Sequence, residues 1–179
     1  MRKLKVDLGD LEIAFVTDQM SGIEHYLDRE SGKVLMITED DRRAADTFFE
    51  EAGAEADESE LDAKFDEWLD DYDCQDWQED SIRDAVLIER GGAKRFIHTP
   101  HQDSRDGYSD MADFAETVAN ERMQGLLAVA LHGKGAFRRF KDVLYDYPDE
   151  QKRFFEFSAQ RLKDRMVEWL NDEGIELDS

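Results

Sequence analysis

Apolar positions along the chain recur mostly at helical spacing, interrupted by two short β-like stretches. In "VDLGDLEIAFVTDQ", Leu8, Leu11 and Phe15 fall on one helical face behind Asp7 as N-cap, which predicts a short amphipathic helix. "IEHYLDRESGKVLMIT" then sets two β-prone runs on either side of Glu30-Ser31-Gly32, a turn in which glycine takes positive φ at little cost, and predicts a hairpin. Residues 40–52 read as helix, as do "ELDAKFDEWLDDY" and "WQEDSIRDAVLIERGG", the last stopped by Gly91 and Gly92. "KRFIHTP", aromatic and closed by Pro100, predicts a third strand near 95–98 that joins the hairpin.

Beyond Pro100 the pattern is helical throughout. Its punctuation predicts four helices: one from Asp103 or Ser104 past Met111 and Phe114, one over "ERMQGLLAVALHG", one from Ala136 to Tyr147, and one from Asp149 to Glu173. The longest should bury Phe155, Ala159, Leu162, Met166 and Trp169 as its core stripe. The fold class is therefore α+β: a small antiparallel sheet packed with a C-terminal bundle of about four helices, predominantly helical. We expect a single domain over 1–179, with an acidic helical insertion at 39–92, a mobile linker at 52–60 and a helical part over 101–179.

Charge changes this picture in two places. The formal net charge is −22, and residues 39–80 alone hold 19 acids against Arg42, Arg43 and Lys64. Such a field repels nucleic acid and anionic lipid at long range, so a protein partner is favoured over nucleic acid; a saline habitat would give the same composition without bearing on partners. From Arg122 to Lys141, in contrast, there is no acid in 20 positions, while Arg122, Lys134, Arg138, Arg139 and Lys141 are basic. Part of that window, 126–131, is expected to exclude acid because it is a buried helix. In "FRRFK", Phe137, Phe140 and Leu144 share a face, with Arg138 and Lys141 beside it and Arg139 pointing elsewhere. Lys134, Arg138, Arg139 and Lys141 are the candidate anion- or partner-binding residues.

In order, "LKVDLGDLEIAF", "YLDRESGKV", "FIHTPHQDSRDGYSDMADF", "ALHGKGAFRRFKDVLYDYP" and "EWLNDEGIE" resemble uncharacterised protein family 0158, a group of bacterial proteins. The likeness covers about 1–38 and 94–177, with "GKGAFRRFKDVL" its most specific piece. It implies bacterial origin and a common fold and transfers no catalytic or binding residue. "IHTPHQDS" departs from the Ile-Pro ending usual for that strand in the family.

Chemical motifs are few. Gly125, Gly133 and Lys134 have the wrong spacing for a phosphate-binding loop, and Gly135 stands where its hydroxyl should be. "DYDCQDWQED" lacks the glycine and glutamate of a calcium loop. Cys74 sits among acids that would suppress its thiolate, and as the single cysteine it agrees with a reducing, cytoplasmic setting. His98, His101 and Asp103 have ligand types that suit a metal, which makes a metal-dependent enzyme the third reading. No cofactor and no metal site is assigned, and no apolar run is long enough to span a membrane. The leading expectation is a non-enzymatic structural or interaction domain. Its alternative is a regulatory module gripping nucleic acid or an acidic partner through the basic stretch.

Overall fold

The structure, a computed structural model, describes residues 1–53 and 60–178. Most of the linker expected at 52–60 thus lies outside the described residues. The chain divides into two compact units, Met1–His101 with the C-terminal segment from Glu173, and Gln102–Asp172. The fold is α+β and predominantly helical, as the periodicity predicts.

In the first unit, β2 (Ile23–Asp28) lies between β3 (Val34–Thr38) and β4 (Phe96–His98) in an antiparallel sheet, with His25 opposite Met36 and Tyr26 opposite His98. The hairpin turn is tied by Asp28, whose carboxylate accepts from the Glu30 N–H and the Ser31 hydroxyl at 2.9 and 2.8 Å. Gly32 is obligatory there: its φ is +78°, and a Cβ would stand 2.4 Å from the Lys5 carbonyl oxygen. α1 (Leu8–Val16) starts at its Asp7 cap as expected. A second sheet was not predicted. β1 (Arg2–Leu4) runs parallel to β5 (Ile175–Leu177), joining the two ends of the chain.

Residues 39–92 supply α2 (Glu39–Phe48), a π-helical turn, α3 (Leu61–Asp71) and most of α4 (Glu79–Arg95). Thr38 and Asp41 cap α2 reciprocally, and the Asp41 carboxylate also accepts from Ser81 of α4 at 2.8 Å. The apolar faces of these acidic helices form one core with the sheet, in which Phe48, Phe65, Trp68 and Ile82 meet Ile37 of β3 and Phe96 of β4. α4 is broken at Gly92, at φ +57°, close to where its glycine pair was expected to stop it.

The second unit is the four-helix part: α5 (Ser104–Glu116), α6 (Glu121–Ala130), α7 (Ala136–Tyr145) and α8 (Pro148–Asp172). Phe114, Phe140 and Phe154 stack edge to face or tilted at its centre, with Met123, Leu127 and Leu144 around them. The core stripe of α8 differs from the expected one at both ends. Phe154 is buried and Phe155 and Ala159 face solvent, because Phe154 fills the gap between Phe114 and Phe140; Leu162 and Met166 are buried as expected, and at the far end Leu170 is buried while Trp169 is half-buried. Buried Asp110 of α5 is held by Arg161 and Arg165 of α8.

Candidate interaction surface

The basic stretch forms the joint between α6 and α7. Gly133 and Gly135, both at positive φ, let the chain reverse, and Arg139 closes the joint from the inside. Its Nε donates to the Ala130 carbonyl at 3.2 Å, and its terminal nitrogens donate to the carbonyls of His132, Gly133 and Lys134. The first is the last carbonyl of α6 and the other three belong to the joint, so the guanidinium caps the helix and braces the turn that follows it. Arg139 therefore meets carbonyls, not carboxylates.

The other three cations face outward. Lys134 is exposed on the joint and Lys141 on α7; Arg138 is 89% exposed and has Asp142 one turn on at 3.9 Å. Such an open pair contributes little. Arg138, Lys141 and Tyr145 form one outer face of α7. Phe137 does not join Phe140 and Leu144 in the core but stays 41% exposed.

α6 overturns the expectation that 126–131 is simply buried. Met123, Leu127, Ala130 and Leu131 face the core, but Leu126 is 44% and Val129 72% exposed. With Arg122 they recur at four and three residues, one solvent-facing stripe of cation and apolar groups. The signal was in the sequence: six consecutive apolar residues encircle a helix, and a helix packed on one side cannot bury them all. Beside the stripe, small residues of α5 and α6 (Ala112, Ala115, Gly125, Ala128) floor a shallow groove of about 420 Å³.

The His98 and His101 rings lie against each other, their centroids 5.7 Å apart. The His98 ring meets Tyr26 edge-on with centroids 5.1 Å apart, and His101 Nδ1 donates to the Thr17 carbonyl at 2.9 Å. Asp103 caps α5, accepting from the Arg105 and Asp106 N–H groups at 2.7 and 3.0 Å. Among the described residues no three ligand side chains come together as a metal would need. Cys74 has its thiol pushed up by burial and by Glu79, Asp73 and Asp76, the direction its flanking acids predict.

His25 is the group that sequence reading passed over. Its ring is buried on β2 with neither nitrogen hydrogen-bonded among the described residues, and burial, then His101 and His98, lowers its pKa. Below the ordinary histidine value the unfolded chain binds a proton that the folded one refuses, so folding loses stability as pH falls from about 6.5. Urea unfolding at pH 7.5 and 5.5 checks this. Wild type should lose stability relative to His25→Leu on acidification; parallel behaviour of the two proteins would contradict it.

The structure is that of an α+β protein in which α6 exposes apolar side chains and the joint and α7 expose cations. The sequence model of the Uncharacterised protein family (UPF0158) matches residues 75–178, and the chain belongs to that family. A UPF0158 protein of Pseudomonas aeruginosa is 27% identical over 176 residues, 98% of this chain and 88% of that protein. The alignment therefore runs through the acidic segment that the motif likeness left uncovered. No solved structure matches the chain. Among the described residues no helix is long and apolar enough to cross a membrane.

Proposed function

We propose that this protein is a non-enzymatic interaction domain of the bacterial cytoplasm that seats an acidic protein segment on the outer faces of α6 and α7. The observation that carries the proposal is the exposure of Leu126 and Val129 in a 20-residue window holding five cations and no acid. Exposed aliphatic side chains rimmed by cations fit an amphipathic acidic partner, which offers apolar anchors as well as carboxylates. Nucleic acid would use the cations alone, against a net charge of −22. Lys134, Arg138 and Lys141 steer the partner, and Arg139 keeps the joint in shape. The lone Cys74 supports a reducing compartment.

The test is a fluorescence-anisotropy titration with a synthetic amphipathic helix of Glu and Leu, beside a mixed-sequence RNA of similar charge. The peptide should bind saturably and weaken with salt. Val129→Asp should cost at least about tenfold in affinity, the scale of a lost apolar anchor, and Arg138→Glu with Lys141→Glu should reduce affinity and salt dependence together. RNA binding tighter than the peptide and indifferent to Val129→Asp would overturn the proposal in favour of a polyanion grip.

A further inference from the structure

The outer faces of α6 and α7 have a counterpart elsewhere on the chain. From Phe65 to Ile82, 18 positions hold eight acids and no Lys or Arg, the reverse of the window from Arg122 to Lys141. Asp71, Asp73, Asp76, Glu79 and Asp80 are exposed there, and none of them forms an ion pair among the described residues. Between them stands Trp77, 75% exposed and the largest of the exposed hydrophobic side chains among the described residues.

Trp77 is the middle residue of a 3-10 turn, Asp76–Gln78, that leads from α3 into α4. The Gln75 N–H donates to Gln78 Oε1 at 3.2 Å and Ser81 Oγ donates to the Gln78 carbonyl at 3.0 Å, so the turn is pinned on both sides. The core of this unit is filled by other rings: Tyr72 stacks on Trp68 with centroids 4.2 Å apart, and Trp68 lies against Phe48 and Phe65. An exposed indole among free carboxylates offers an apolar anchor with an acidic rim, the two features that the faces of α6 and α7 call for in a partner.

We propose that the acidic partner is a second copy of this chain, whose Trp77 segment docks on the outer faces of α6 and α7. This rests on the interaction surface proposed above and names its occupant. Trp77 lies against Leu126 and Val129, and Asp73, Asp76, Glu79 and Asp80 face Arg122, Lys134, Arg138 and Lys141. Glu121 and Asp142 flank the basic face, and with them counted residues 121–142 still hold five cations against two acids. Trp77 and Val129 are both exposed within one chain, so a second molecule is what covers them. After one such contact each copy keeps one face free, and the pairing is therefore heterologous and continues to further copies. Each copy carries −22, but at about 0.15 M salt fields are screened beyond roughly 8 Å, so repulsion between distant acids fades while charges in contact still attract.

Sedimentation velocity of the full chain at about 0.15 M salt, over roughly 1–500 μM protein, tests this. Wild type should form dimers and then larger species as concentration rises. Trp77→Ser and Val129→Asp, both at exposed positions and with folding checked by circular dichroism, should each weaken association by about tenfold or more. Mixed together, the two variants should form a 1:1 dimer and stop there, because one supplies the intact α6 and α7 face and the other the intact Trp77 segment. A wild type that stays monomeric throughout, association indifferent to Trp77→Ser, or a mixture no more associated than its components would overturn the proposal. Acidic peptide bound at α6 and α7 by a chain that stays monomeric would sink this inference alone. Absence of both peptide binding and self-association would sink the interaction surface with it.

Discussion

Phe114→Ala is expected to lower the unfolding free energy by about 3–5 kcal/mol, the usual range for emptying a buried phenylalanine site. Phe114 is fully buried, and its ring centroid lies 5.1 Å from that of Phe154, 5.7 Å from Phe157 and 6.4 Å from Phe140. The Arg153 guanidinium covers it at 4.4 Å from the ring centre. Truncation therefore removes edge-to-face contacts with three rings together with the buried apolar area itself. The helical unit around it spans only 102–172, and domains of this size have stabilities of roughly 5–15 kcal/mol, so the loss is a large share. Denaturant unfolding followed by circular dichroism would check it. A change below about 1 kcal/mol would mean that Phe114 is not the centre of this core.

Arg95→Met should cost about 3 kcal/mol, by stranding a buried carboxylate. Asp28 is 6% exposed, whereas Arg95 is 33% exposed, which places the loss at the lower end of the range for buried pairs. In wild type, burial pushes the Asp28 carboxyl up, but the hydrogen bonds from Arg95, the Glu30 N–H and Ser31 outweigh it and hold the pKa below the ordinary value. The pair thus contributes stability above the unfolded-state value near 4, and that contribution is lost as pH falls through the lower folded-state pKa. Removing Arg95 leaves burial less opposed, so the variant's Asp28 titrates higher. The stability gap between the two proteins should narrow on acidification below neutral pH. Adding Asp28→Asn to Arg95→Met should recover part of the loss, and a gap that is independent of pH would contradict the assignment.

Helix and hairpin placement was legible because it rests on local signals. Asp7, Thr38, Asp103 and Asn120 cap their helices through side-chain acceptors, and glycine at 32 takes the positive φ of its turn. The β1–β5 pair was not legible. Strands of three residues carry no usable period, and their partners lie at opposite ends of the chain. Helical spacing placed Leu162 and Met166 in the α8 core, but the choice between Phe154 and Phe155 was made by the space between Phe114 and Phe140, which only tertiary packing defines.

The candidate site was half legible. The acid-free window marked the α6–α7 joint, and helical spacing set Arg139 apart from Arg138 and Lys141. The cap that Arg139 makes depends on four carbonyls that converge only when the chain reverses at Gly133 and Gly135. The exposure of Leu126 and Val129 depends on which side of α6 packs against its neighbours. His25 was missed because a lone histidine on a strand gives no sign of its burial.

Hydrogen exchange of the full chain, with and without saturating acidic amphipathic peptide, would place the partner directly. Peptide binding should slow exchange across residues 122–145 and leave residues 79–95 of α4 unchanged, and Val129→Asp should reduce the protection at the same peptide concentration. Protection confined to other parts of the chain, or unchanged by Val129→Asp, would contradict an interaction surface on α6 and α7.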